Sequence, residues 1–139
     1  MITMQELESG KTLAEVQGMT EELGRTLARV AGEELVAGRL EAAREMLEGL
    51  AVTNPHDPAA WTMLACVERR RGKILAARVC AETAYRLSPD DAQVRLVRAE
   101  VLLCTPDERP RAAAELAELR SAPGEVAARA QALLTALGE

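Results

Sequence analysis

Residues 58–91 read PAAWTMLACVERRRGKILAARVCAETAYRLSPDD, and residues 24–57, immediately before them, read GRTLARVAGEELVAGRLEAAREMLEGLAVTNPHD. Each stretch is 34 residues long, and without a gap Leu27 falls on Trp61, Ala31 on Ala65, Gly38 on Gly72, Ala43 on Ala77 and Pro55 on Pro89. A period of this length marks a repeat whose unit is one supersecondary piece, unable to bury its apolar face alone.

The 34-residue period is that of tetratricopeptide repeats, in which each unit is a helix, a turn and a second helix. Ala77, Ala81 and Ala84 line one face of the second helix, and small side chains at Ala65, Ala77 and Ala84 let two antiparallel helices approach, while Trp61, Leu64 and Leu87 fill the gaps between them. Gly38 and Gly72 supply the left-handed residue that ends a helix, and Pro55 and Pro89 follow helices that a proline cannot continue. Asp57-Pro58 reads as an N-cap with proline at the first helical position.

Working outward, a degenerate third unit occupies residues 92–122. Ala99 takes the place of Ala65, and Leu102 and Leu103 follow it, but the turn is lengthened to Cys104-Thr105-Pro106-Asp107-Glu108-Arg109-Pro110. Thr105 to Glu108 has the form of a capping box, after which Ala112, Leu116 and Leu119 form a helix face. Thr12 to Glu15 is a second capping box, within an N-terminal helical segment at 1–23. Val126, Ala130, Leu133, Leu134 and Leu137 lie on one side of a C-terminal capping helix at 123–139. The expectation is one all-α domain, a tetratricopeptide repeat superhelix of about three helix pairs with a capping helix at each end.

Composition agrees with that reading. Hydrophobic residues make up 48% of the 139 but aromatics only 1%, with Trp61, Tyr85 and no Phe, so the core is built from Ala, Leu and Val. Such a core suits closely packed helices and not sheets of β-branched and aromatic residues. A net charge of −5 and the lack of stacking platforms exclude nucleic acid as a main partner. No apolar run reaches the length of a membrane span, and Glu6 and Glu8 stand where a signal peptide would be basic and apolar, so a cytoplasmic protein is expected.

Catalytic chemistry has little to build on. Cys66, Cys80 and Cys104 are widely spaced without a CxxC pair, which fits small apolar residues in a reducing compartment better than a disulfide framework or a zinc site. The single His56 lies in the turn between repeats beside Asp57, where a solvated role is expected. Glu21-Glu22, Glu33-Glu34 and Asp90-Asp91 suit helix starts and polar faces, and no phosphate loop, HExxH or GxSxG pattern occurs. No catalytic residue, metal or cofactor is expected.

Binding chemistry is better represented. In a tetratricopeptide stack the first helix of each unit lines the concave surface. Its facing positions are Arg25, Ala28, Gly32, Leu35 and Val36 in the first unit, and Ala59, Thr62, Cys66, Arg69 and Arg70 in the second. The third unit supplies Gln93, Leu96, Glu100, Leu103 and Cys104. The groove so formed is apolar with a basic middle, since Arg69-Arg70-Arg71-Gly72-Lys73 is the one strongly basic cluster. Leu35, Val36, Leu96 and Leu103 are expected to be exposed anchors for an extended peptide whose acidic groups Arg69 and Arg70 orient.

From Val30 to Leu103 the sequence resembles the class II chaperones of bacterial type III secretion. The residues that carry the resemblance are Gly38-Arg39-Leu40 with Ala43, Leu47-Glu48-Gly49-Leu50 followed by Asn54 and Asp57, Leu64-Ala65-Cys66, Gly72, Ala77, and Ala99-Glu100-Val101-Leu102-Leu103. Where the family shows aromatic residues, this chain has Glu34, Leu35, Met46 and Leu47. The resemblance implies a non-enzymatic chaperone that holds a secreted, translocator-like client in its groove and forms a homodimer, in which the amphipathic segment Met1 to Gly18 takes part. A general tetratricopeptide adaptor of a cytoplasmic complex would use the same groove, and an enzyme acting through His56 and a neighbouring carboxylate is a third possibility.

Overall fold

Alanine at the helix contacts and glycine or aspartate at the helix ends determine where this chain turns. The computed structural model describes residues 13–138, with side chains from residue 21 onward. Among the described residues there are seven α-helices and no strand. They are α1 (Leu13–Val36), α2 (Leu40–Thr53), α3 (Pro58–Arg70), α4 (Ile74–Leu87), α5 (Ala92–Leu102), α6 (Arg109–Leu119) and α7 (Glu125–Ala136), with a 3₁₀ turn at Pro106–Glu108. No helix among the described residues is long and apolar enough to cross a membrane. The capping box at Thr12 lies outside the described residues.

The two glycine turns are built alike. At the end of α1 the Gly38 N–H donates to the Leu35 carbonyl (3.1 Å) and the Arg39 N–H to that of Glu34 (2.9 Å). At the end of α3 the Gly72 N–H donates to Arg69 (3.0 Å) and the Lys73 N–H to Glu68 (2.8 Å). Both are Schellman motifs, which need a positive φ at the glycine, here 83° and 79°. Asp57 and Asp91 repeat at the same interval. The Asp57 carboxylate accepts from the Ala59 N–H (2.9 Å), and that of Asp91 from Gln93 (2.9 Å) and Val94 (3.2 Å).

The chain packs as two compact units, one ending at Pro55 and the other beginning at His56. The first unit is the α1–α2 pair around Ala31, Ala43, Leu47, Leu50 and Ala51. Its helix α1 runs unbroken through Leu23 and Gly24. A Cβ on Gly24 would lie 3.8 Å from a Leu50 methyl, an ordinary contact.

In the second unit consecutive helices pack antiparallel, and α3, α5 and α7 also pack side by side, forming one layer with α4 and α6 behind it. Ala65, Ala77 and Ala81 meet Val97 and Val101 where α3, α4 and α5 converge. Leu96, Ala99, Leu116, Leu119, Ala130 and Leu134 form a second cluster among α5, α6 and α7. Fully burying a leucine such as Leu116 contributes roughly 1.5–3 kcal/mol. Leu87, expected to fill a gap, and Leu137, expected on the apolar side of the last helix, are 37% and 38% exposed.

Charged side chains tie the same helices from outside. Arg95 on α5 donates to Glu115 (2.7 Å) and Glu118 (2.6 Å) on α6. Buried Arg98 donates to Glu82 (2.8 Å) and lies 4.1 Å from the centroid of the Tyr85 ring. The expected capping box at Thr105 does not form. The Thr105 side chain caps nothing, because the Glu108 N–H donates to the Thr105 carbonyl (3.0 Å) in the 3₁₀ turn, and the Glu108 carboxylate pairs with Arg78 (2.9 Å) on α4.

Two glycine substitutions should move stability in opposite directions. Gly72→Ala places a Cβ at positive φ and should lower stability by about 1 kcal/mol. Gly49→Ala fills open space inside α2 and should raise it by about 0.5–1 kcal/mol. Urea unfolding followed by circular dichroism measures both. Acid should act through Glu108, whose hydrogen bond from Arg78 holds its carboxyl below the usual carboxylate range. A depressed folded pKa stabilises above the ordinary carboxylate pKa and is lost as pH falls through the folded value. Arg78→Gln should therefore reduce the urea-midpoint loss between about pH 5 and about pH 3.

Candidate functional site

The layer of α3, α5 and α7 presents the first helices of the second unit's helix pairs and the final helix, the side that is concave in a tetratricopeptide stack. Its middle is polar. Glu100, near the end of α5, has a side chain only 11% exposed and stands between two guanidinium groups. Arg69 Nη2 on α3 lies 3.3 Å from Glu100 Oε2, and Arg129 Nε on α7 donates to Glu100 Oε1 at 3.1 Å. One carboxylate thus links three helices. Arg69 Nε is buried and has no hydrogen-bond partner among the described residues.

The run Arg69 to Arg71, read as one basic cluster, divides by helix register. Arg69 turns to Glu100, and Arg71 Nη1 donates to both carboxylate oxygens of buried Glu68 (2.7 and 3.0 Å). Arg70 is exposed beside them. Half-buried Cys66 sits one turn before Arg69 and Arg70. Burial pushes its thiol pKa up, against the pull of Arg69 and Arg70 and with the repulsion of Glu100, so it behaves as a small apolar lining residue.

Of the remaining expected positions in this unit, Leu103 is half-buried against the cluster among α5, α6 and α7, at the edge of the face. Leu96 is a correction. Expected as an exposed anchor, it is 5% exposed and belongs to that cluster, since α6 and α7 close over the apolar stripe of α5. Thr62 is buried too, with its hydroxyl donating to the Pro58 carbonyl (2.7 Å) inside α3, and it offers no free donor. Ala28, Leu35 and Val36 lie on α1 in the first unit, with Ala28 and Leu35 half-buried and Val36 87% exposed.

Sequence reading missed Arg129. Its signal was present, for it stands three residues after Val126 and four before Leu133, on the apolar stripe of α7 itself. An arginine on such a stripe needs an acidic partner from another helix, and Glu100 is that partner. Exposed His56 lies apart from this cluster in sequence, in the turn before α3. Among the described residues no group of three or more His, Cys, Asp or Glu could hold a metal ion.

No family model and no curated protein sequence matches the chain. Solved structures do. The type III secretion translocator chaperone SycD of Yersinia enterocolitica is 20% identical with a TM-score of 0.75, over 91% of this chain and 98% of that one. SycD in complex with a peptide of the translocator YopD matches with a TM-score of 0.69 and 20% identity, over 82% and 91% of the two chains. A T3SS complex from Aeromonas hydrophila matches with a TM-score of 0.73 and 18% identity, over 95% and 91%. The all-α fold of this chain is therefore similar, along most of its length, to that of the type III secretion translocator chaperones.

Proposed function

We propose that this protein is a non-enzymatic secretion chaperone of the cytoplasm that holds an extended segment of an export client, translocator-like in its apolar character, on the α3–α5–α7 face. The observation that carries the reading is the likeness to SycD over 91% of the chain, together with the SycD complex in which a translocator peptide is bound. Leu103 and Cys66 offer a half-buried apolar lining, and Arg69, Arg70 and Glu100 offer charged groups that would orient the segment. Thr62 and Leu96 support this face from within. Ala28, Leu35 and Val36 are proposed, from repeat register alone, as client contacts of the first unit.

A chaperone of this kind works by mass action, lowering the concentration of free, aggregation-prone client. It needs neither cofactor nor catalytic group. SycD has been solved as alternative dimers, which supports self-association for this chain as well.

The face is tested by calorimetric titration with the peptide of the translocator YopD that SycD binds. Leu103→Asp should weaken binding at least tenfold, about 1.4 kcal/mol or more, with the helical circular dichroism kept. Leu96→Asp should instead unfold the second unit, because it puts a charge into a closed cluster. Unchanged affinity in a folded Leu103→Asp protein would move the site off this face. The dimer is tested by light scattering. The full chain should dimerise and a variant lacking Met1 to Gly18 should be monomeric, and a full chain already monomeric at high concentration would refute self-association.

A further inference from the structure

Glu100 is one negative charge between Arg69 and Arg129, so these three side chains keep a net charge of +1 in a protein whose net charge is −5. The pairing is also incomplete. Arg69 approaches Glu100 through Nη2 at 3.3 Å, while its Nε is buried without an acceptor. Arg129 uses Nε, which leaves the outer edge of a guanidinium that is 53% exposed directed elsewhere. A guanidinium has five N–H donors in a planar fork, and the fork matches a carboxylate. The buried Arg69 Nε is closed to an incoming acceptor, which meets instead the outward nitrogens of Arg69, whose side chain is 30% exposed, and of Arg129.

We propose that Arg69 and Arg129, held in place by Glu100, form a recognition point for an acidic side chain of the bound peptide. Glu100 acts as the resident counter-ion. It fixes two cations on different helices at the spacing of one carboxylate and lowers their repulsion while no client is present. An Asp or Glu of an extended segment crossing α3, α5 and α7 then accepts from the free edges of the two guanidinium groups. Arg70, at the rim, adds attraction and is screened by salt. The client this face selects is thus an apolar segment carrying a carboxylate, and a basic segment is rejected by the same charges. This inference rests on the reading of the face as a peptide site.

The experiment uses the full chain and a pair of synthetic peptides. Both are extended apolar peptides built on the YopD segment that SycD binds, one with a single Glu beside the apolar anchors and its twin with Gln. The Glu peptide should bind about tenfold tighter at low salt. Arg129→Gln should abolish most of that preference, with the helical circular dichroism kept. Glu100→Gln should raise affinity for the Glu peptide severalfold by removing the competing carboxylate. Arg86→Gln, an equal loss of charge on α4, should leave the preference intact. Equal binding of the two peptides overturns the inference and leaves the peptide site standing, whereas failure of both peptides to bind overturns the peptide site itself. Equal loss in Arg86→Gln would reduce the preference to long-range attraction and overturn the recognition point.

Discussion

Methyl side chains between helices are what the rest of the second unit depends on. Ala65 and Ala77 are fully buried where α3 meets α4, Ala81 adds a third methyl, and Val97 and Val101 of α5 complete the contact. Only small residues let three helix backbones approach this closely, and closeness brings the α3 and α5 surfaces into one layer. Arg69 and Glu100 lie on those surfaces, so their 3.3 Å approach follows from the alanine contact behind them. The 34-residue period is the same constraint in sequence, because each helix pair must offer its small residues at the height where the next pair arrives.

What the sequence made legible are features governed by a few neighbouring residues. Gly38 and Gly72 close helices because the following N–H groups reach back five residues, and Asp57 and Asp91 open helices because a carboxylate reaches forward two. Such rules need no knowledge of distant helices. Leu96 was misplaced for the opposite reason: whether it faces solvent depends on α6 and α7. The capping box at Thr105 did not form because the chain makes a 3₁₀ turn there and Arg78, far away in sequence, takes the Glu108 carboxylate. Arg98 over Tyr85 and Arg129 on Glu100 belong to the same class, since an ion pair between helices leaves no fixed spacing in the chain.

The charge pattern follows a division of labour. Pairs such as Arg95 with Glu115 and Arg78 with Glu108 join helix to helix outside the apolar clusters, where each salt bridge is worth little alone but helps set register. The Glu100 triad differs in being set on the face of the first helices and in leaving a buried guanidinium N–H without a partner. Geometry, more than the number of charges, sets it apart.

The scarcity of aromatic residues has an optical consequence. Trp61 and Tyr85, the chain's single tryptophan and single tyrosine, both stand in the unit that begins at His56, on α3 and α4. Intrinsic fluorescence therefore reports the second unit alone, and the α1–α2 pair is dark. Far-ultraviolet circular dichroism sees both. Any difference between the two signals during denaturation is a direct record of the first helix pair melting separately from the rest.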